Sequence, residues 1–242
     1  NIKLNTSNGS YAFNECTNLV SITGRLTFSG SMTRTFQNCI NLTSIPTGSN
    51  LNLSGVTNMS ETFWKCSKIN LNFVKSILSS VSSKLTSSGR MFCSCTNIVT
   101  NDETPLPSNL FSRCTGLTSI SEMFNGCSGI AGGLHADIFK PMTALQNCYF
   151  AFSGTKITGG LNGAALPATL FSSNKKLTNL ERMFNNTPIT IVPPNDLLAY
   201  NTELTTVYGM FSNCPSMIGE IPPTIFRNNS KLTSIGPFFG GC

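Results

Sequence analysis

Residues 56–66 of the chain read Val56-Thr-Asn-Met-Ser-Glu-Thr-Phe63-Trp-Lys-Cys66. One element of this stretch recurs throughout the sequence: an aromatic residue followed three positions later by a small residue. The successive phenylalanines are 23 to 32 residues apart, in the pairs Phe13/Cys16, Phe36/Cys39, Phe63/Cys66, Phe92/Cys95, Phe124/Cys127, Phe152/Thr155, Phe184/Thr187, Phe211/Cys214 and Phe239/Cys242. A motif that returns at such a period indicates a repeat architecture.

The positions around each phenylalanine form columns of similar residues. Seven positions before it lies an aliphatic residue in seven of the nine copies: Val56, Leu85, Leu117, Leu145, Leu177, Leu204 and Leu232. Four positions before it lies mostly a large apolar residue: Met32, Met59, Ile120, Cys148, Leu180, Val207 and Ile235. Because the columns persist while the spacing varies, the repeats are equivalent structural units.

A second half-repeat, centred 13 residues before the main phenylalanine, appears from the middle of the chain. Its aromatic or leucine anchors are Phe111, Phe139, Phe171, Leu198 and Phe226, and an Asn follows three positions later at 174, 201 and 229. Buried amides normally find hydrogen-bond partners. We therefore expect these asparagines to bond loop backbone inside the fold.

These patterns predict a leucine-rich-repeat-like α/β solenoid of about nine stacked turns. Each turn would hold a helical or 3₁₀ segment at Pro-x-x-Leu-Phe, a short parallel strand at Leu-Thr-x-Leu, a helical turn at Met-Phe-x-x-Cys and a loop or second strand at Ile-Thr-Gly. One turn cannot bury its apolar side alone, but stacked turns form a continuous core. We expect residues 1–242 to be a single solenoid and a fragment of a longer chain.

Composition narrows the possible partners. Charged residues make up 11% of the chain, hydrophobic residues 40%, and the net charge is +6. The basic residues are spread thinly, whereas nucleic-acid-binding proteins concentrate them on one face. No run approaches the roughly 20 apolar residues of a membrane span. We expect neither nucleic-acid binding nor membrane insertion.

The repeat around residues 56–66 resembles the Val-Thr-Asn-Met-Ser-x-Met-Phe-x-x-Cys repeat of the BspA-like leucine-rich-repeat surface proteins. Residues 204–214 and 232–242 are weaker versions, and the chain departs from the pattern in turn length and at Thr155 and Thr187. The resemblance implies an exported solenoid that is often adhesive. Similar repeats occur in phage proteins of gut bacteria, and no ligand carries over from the family.

No arrangement of residues predicts catalysis, a metal site or a cofactor. The single histidine, His135, has no accompanying nucleophile motif, and Cys93 and Cys95 lack the further ligands that zinc requires. Eight of the ten cysteines occupy the small position after a phenylalanine, where a buried packing role is expected. Disulfides between neighbouring turns remain the alternative, because turns about 5 Å apart are within reach of one.

Two adjacent columns supply the candidate binding residues. Two positions before the phenylalanines, Arg34, Glu61, Arg90 and Glu122 alternate in sign, which predicts either a salt-bridge ladder between turns or the rim of a ligand surface. The same two columns should bring Tyr149, Phe150 and Tyr208 near Arg182, a combination typical of binding hot spots. Trp64, beside the inward Phe63, is a further candidate.

We therefore predict a non-enzymatic binding or adhesion module, extracellular or on a cell surface, that recognises a protein or glycan by multivalent contact along one stacked face. The alternative is a structural virion component, such as a tail fibre, head fibre or decoration domain. A homo-oligomer or a capping partner is possible at the C-terminal end, near Phe238 and Phe239, because the last turn of a solenoid needs covering.

Overall fold

A computed structural model of the chain describes residues 2–242, with side chains from residue 6 onward. The strands are β1 (Ile2–Asn8), β2 (Gly24–Ser31), β3 (Leu51–Asn58), β4 (Ala131–Leu134) and β5 (Lys156–Gly160). One α-helix, α1, spans Leu71–Ser80, and 3₁₀ turns span Gly48–Asn50 and Leu161–Gly163. The remaining residues form turns and single bridges.

The chain winds as a solenoid in which equivalent residues of successive turns pair in parallel. Strands β1, β2 and β3 form one parallel sheet in that order, and β4 pairs with β5. The first sheet is continued by single parallel bridges that join Asn58, Ser87, Ser119, Asn147, Asn179, Thr206 and Ser234 in succession. Each bridge joins neighbouring turns, so the stacking predicted from the repeat is confirmed.

The phenylalanine column lies in the core and forms a continuous stack of rings. From Phe13 to Phe239, ring centroids in neighbouring turns are 5.1 to 6.1 Å apart, with interplanar angles of 1° to 28°. The seven rings between Phe36 and Phe211 are fully buried, and the leucine column beside them is buried from Val56 to Leu204. Offset stacking at this separation is favourable beyond the burial of area.

The predicted secondary structure within a turn was partly wrong. The Met-Phe-x-x-Cys segments are consecutive turns rather than helices, and most Leu-Thr-x-Leu segments make only one bridge. The Pro-x-x-Leu-Phe segments close single turns, such as Leu110 N–H to Pro107 O at 3.0 Å. The Ile-Thr-Gly prediction holds at β5, which contains Ile157.

Helix α1 was not predicted. Asn70 caps it by accepting a hydrogen bond from the Phe73 N–H at 3.0 Å, and Phe73, Val74, Ile77 and Leu78 are buried. The Phe73 ring meets Phe63 edge-on at 5.1 Å. This helix therefore fills, in its turn, the place that the half-repeat occupies further along the chain.

The cysteine column packs in the core and also donates hydrogen bonds, but the burial predicted for Cys16 and Cys242 was wrong, because these residues lie in the first and last turns and are exposed. All ten cysteines lie in the described residues and are free thiols. The Sγ–H groups of Cys39, Cys66, Cys95, Cys127, Cys214 and Cys242 donate to the carbonyl of the previous turn's column phenylalanine at 2.9 to 3.2 Å. Burial raises the pKa of Cys39 to about 11, so the thiol form that donates is maintained.

The three asparagines of the half-repeat bond backbone inside the stack, as predicted. Each Nδ2 donates to two carbonyls: Asn174 to Phe139 and Met142, Asn201 to Phe171 and Asn174, and Asn229 to Leu198 and Asn201, at 2.8 to 3.1 Å. The acceptor in each case belongs to the preceding turn. The amide column therefore ties successive turns together.

Candidate functional site

One face of the solenoid, which we call the ladder face, carries the residues two and three positions before each column phenylalanine. From the turn of Phe13 to that of Phe211, the residues two before and two after the phenylalanine have left-handed backbone, for example Arg34 at φ 58° and Asn38 at φ 58°. Their N–H groups bond the next turn, as from Arg34 to Ser60 O at 3.1 Å. This backbone projects the side chain at the first of these positions away from the core.

Two ion pairs bridge neighbouring turns on the ladder face. Arg34 Nε lies 2.7 Å from Glu61 Oε2, and Arg90 donates to both carboxylate oxygens of Glu122 at 2.8 and 2.9 Å. The hydrogen bond that each arginine donates to its carboxylate is the main cause of a raised pKa at both arginines. The alternation of charge predicted from the sequence therefore resolves into two separate pairs.

The structure brings together four of the five predicted binding residues. The Arg182 guanidinium carbon is 5.3 Å from the ring centroids of both Phe150 and Tyr208, and Tyr149 packs edge-on against Phe150 at 4.6 Å. All four side chains are half-buried. We call this cluster of Tyr149, Phe150, Arg182 and Tyr208 the aromatic–arginine patch.

The backbone of the patch is held by hydrogen bonds between turns. Phe150 N–H donates to Glu181 O, and Arg182 N–H donates to Tyr208 O, both at 2.9 Å. The Tyr149 N–H also donates to the side chain of Asn147 at 2.9 Å. The patch is therefore preorganised, which lowers the entropic cost of binding.

Trp64 does not belong to the patch. It lies in the turn of Phe63, three turns earlier, and is half-buried. The Lys65 Nζ is 4.9 Å and the Arg90 guanidinium carbon 5.8 Å from its ring centroid. The Trp64 ring therefore contacts two cations of the protein itself, and it packs within the ion-paired part of the ladder face.

A groove adjoins the patch. It has a volume of about 440 Å³ and is lined by Arg182, Asn185, Ser212, Asn213, Pro237 and Gly240. Gly209 lies beside it with a left-handed backbone, φ 57°, and a Cβ at that position would approach the Ser212 Oγ to 2.8 Å and the Arg182 Cγ to 3.2 Å. The Arg182 side chain therefore lies across the space that this glycine leaves empty.

The sequence did not identify the groove. Gly209 was visible as a glycine in a column otherwise rich in charged and aromatic residues, and that substitution was the available signal. Asn185, Ser212 and Asn213 lie after the phenylalanines, on the part of each turn to which no role was assigned. Asn185 belongs to the same turn as Arg182, and its N–H donates to the Arg182 carbonyl at 3.1 Å. Only the stacking of turns places Ser212 and Asn213 beside Arg182.

The side chains of residues 6–242 include no cluster of three or more His, Cys, Asp or Glu arranged to hold a metal ion. Within the same residues no helix has the length and apolar character needed to cross a bilayer.

The sequence of residues 30–153 matches the model of one protein family, described as Mycoplasma protein of unknown function, DUF285. The match covers about half of the chain and spans five of the phenylalanine turns, from Phe36 to Phe152. No curated protein matches significantly.

Several solved leucine-rich-repeat structures match at low similarity. A leucine-rich-repeat protein of T. pallidum is 17% identical with a TM-score of 0.34, over 99% of this chain and 80% of its own. One from Bacteroides ovatus is 17% identical with a TM-score of 0.29, over 98% and 80%.

The leucine-rich-repeat ectodomain of an Arabidopsis thaliana receptor kinase, in complex with CASPARIAN STRIP INTEGRITY FACTOR 2, is 16% identical with a TM-score of 0.37. The match covers 89% of this chain, which spans about a quarter (26%) of that ectodomain's length. All three TM-scores lie below 0.5.

Proposed function

The chain belongs to the DUF285 family, and we propose that this member is a non-catalytic binding module that recognises a protein through its ladder face. The observation that carries the proposal is the Arg182 guanidinium held between Phe150 and Tyr208 on a face where turns are hydrogen-bonded to one another. Arginine and tyrosine are the side chains enriched at the energetic centres of protein interfaces.

The rest of the ladder face supports recognition by shape. Its ion pairs, Arg34–Glu61 and Arg90–Glu122, are satisfied internally, so the face offers a fixed surface with little unpaired charge. Rigid repeats present contacts at regular spacing, and several weak contacts on one partner add to a strong one. This is the mechanism expected of an adhesive solenoid.

The location on a cell surface or outside the cell is also a proposal. It is supported by the resemblance of residues 56–66 to the BspA-like surface repeat. It is also supported by the low content of charged residues, which make up 11% of the chain. The assignment to the BspA-like group itself stands on the same residues. A structural role in a virion is the alternative from the sequence, and no contact within the molecule favours it.

The test uses a photo-crosslinking amino acid at residue 208 to capture partners from an array of cell-surface and extracellular proteins, with a glycan array in parallel. Tyr200 is the matched control position, because it is a tyrosine on the adjacent part of the chain, outside the patch, and 51% exposed. Crosslinking from position 208 and not from position 200 supports the proposal.

The captured partner then allows a quantitative comparison. We expect Tyr208→Ser to weaken its binding by about 30-fold, as truncation of a hot-spot residue does. Tyr200→Ser should leave the affinity unchanged. Equal effects of the two substitutions, or binding confined to the glycan array, would contradict recognition of a protein by the patch.

A further inference from the structure

The ladder face contains an internal template for carboxylate binding. Arg34 and Arg90 occupy the position two before their phenylalanines, and each pairs with the residue at the same position of the next turn. That residue is a glutamate in both cases, Glu61 and Glu122, and both have left-handed backbone, at φ 57° and 54°. The geometry of the turn therefore places a carboxylate against the arginine of the turn before.

Arg182 occupies the same position in its own turn, but the next turn supplies Gly209 instead of glutamate. Gly209 has the same backbone conformation, φ 57°, so this turn presents the backbone of Glu61 and Glu122 without their carboxylate. None of the ion pairs formed among the side chains of residues 6–242 includes Arg182. Its guanidinium is held by Phe150 and Tyr208 without a counter-charge.

The other polar groups at the groove are largely used within the fold. The Asn185 Nδ2 donates to Ser212 O at 3.0 Å, and the Ser212 Oγ donates to Pro237 O at 2.7 Å. Arg182 is the charged residue among those that line the groove. An anion that enters would therefore meet one positive charge, already oriented by two rings.

We propose that this groove binds a carboxylate of the protein partner, at the place that Glu61 and Glu122 occupy in the earlier turns. The carboxylate comes from an acidic side chain or from a chain terminus, and the planar guanidinium suits the two oxygens of either. The inference rests on the proposed function and names the chemistry of its partner.

The experiment measures binding of three small probes by the NMR signal of the Arg182 Nε–H. N-acetylglutamic acid α-amide carries a side-chain carboxylate, N-acetylglutamine carries a terminal carboxylate, and N-acetylglutaminamide carries neither. We expect a saturable shift with one or both acids in the millimolar range and none with the neutral amide. The acid that binds more tightly identifies the source of the carboxylate.

Two variants test the site from opposite sides. Arg182→Gln removes the charge, and Gly209→Glu supplies the internal partner that the template predicts, so we expect each to weaken probe binding at least about tenfold. Because Arg182→Gln lacks the Nε–H, probe binding to this variant is followed by the backbone N–H signals of Asn185 and Asn213, which line the groove. Arg34→Gln alters an arginine that is already paired, and it should leave probe binding unchanged. Circular dichroism confirms that the variants are folded.

The proposal is overturned if neither acid shifts the signal, or if folded Gly209→Glu protein binds the acids as the original chain does. These outcomes are separable from failure of the proposed function. If the protein does not bind the acids but its binding to the partner still depends on Tyr208, the carboxylate proposal fails and the proposed protein interface stands.

Discussion

At the residue scale, the unusual feature of this protein is its regular use of left-handed backbone. Every non-glycine residue with positive φ, except Asn162, lies two positions before or two after a column phenylalanine. Such a conformation costs roughly 1–2 kcal/mol for a residue with a Cβ. The cost is offset because the left-handed conformation directs the N–H groups toward carbonyls of the next turn. For example, the Ser94 N–H donates to Asn125 O at 2.8 Å.

Ser94 allows a test of this cost, because its column holds Gly126 and Gly154 in the next two turns. We expect Ser94→Val to lower the free energy of unfolding by about 1–2 kcal/mol, since a β-branched residue fits a left-handed backbone poorly. Ser94→Gly should be neutral or slightly stabilising. Urea unfolding measures both. Equal stabilities of the two variants would show that the backbone conformation costs little.

At the scale of the element, a turn is defined by side chains that donate hydrogen bonds to the turn before it. The cysteine thiols bond the phenylalanine carbonyls of the preceding turn, and the half-repeat asparagines bond two carbonyls each. Thr155 and Thr187 replace cysteine in two turns and bond the carbonyl of their own phenylalanine instead. Each column therefore selects for a small or compact donor, which explains why Cys, Thr and Asn recur there.

Asn201 is the clearest test of these columns. We expect Asn201→Ala to lower the free energy of unfolding by about 1–3 kcal/mol, because the buried carbonyls of Phe171 and Asn174 lose their donor. Asn228→Ala removes a bond to Ala199 O on an exposed residue and should cost less than about 0.5 kcal/mol. A thermal or urea unfolding series compares them. Equal losses would mean that burial of the acceptors is unimportant.

At the scale of the whole molecule, the stack of phenylalanine rings couples the stability of each turn to that of its neighbours. Phe211 is fully buried and lies between Phe184 and Phe239, at 5.8 and 5.9 Å. Phe13 is half-buried and stacks on Phe36 alone. Because each turn contacts only its neighbours, the energy of a ring depends on how many rings flank it.

We expect Phe211→Ala to lower the free energy of unfolding by about 3–5 kcal/mol, as the loss of a large core aromatic does. Phe13→Ala should cost roughly half as much or less, because it removes one stacking contact from a half-buried ring. Denaturant unfolding followed by far-ultraviolet circular dichroism measures both. A loss below about 1 kcal/mol for Phe211→Ala would place this ring outside the cooperative core.

The sequence alone was sufficient to predict which residues share a position in successive turns. A buried phenylalanine, its leucine and its small donor recur with constant local spacing, because each must meet the same neighbours in every turn. The periodicity therefore predicted the stack, the buried asparagines and the approach of Phe150, Arg182 and Tyr208. It failed on the form of the turns, because alternating right- and left-handed residues have no helical or strand period in the sequence.

Tertiary structure decided what the periodicity does not encode. Helix α1 forms within a single turn and has no counterpart in the repeat. The sequence predicted a charge ladder from Arg34 to Glu122, and the structure divides it into the separate pairs Arg34–Glu61 and Arg90–Glu122. A column lists the residues that share a position, but only the stacking of turns brings two of them into contact, since Gly209 is 27 residues from Arg182 along the chain and adjacent to it in space.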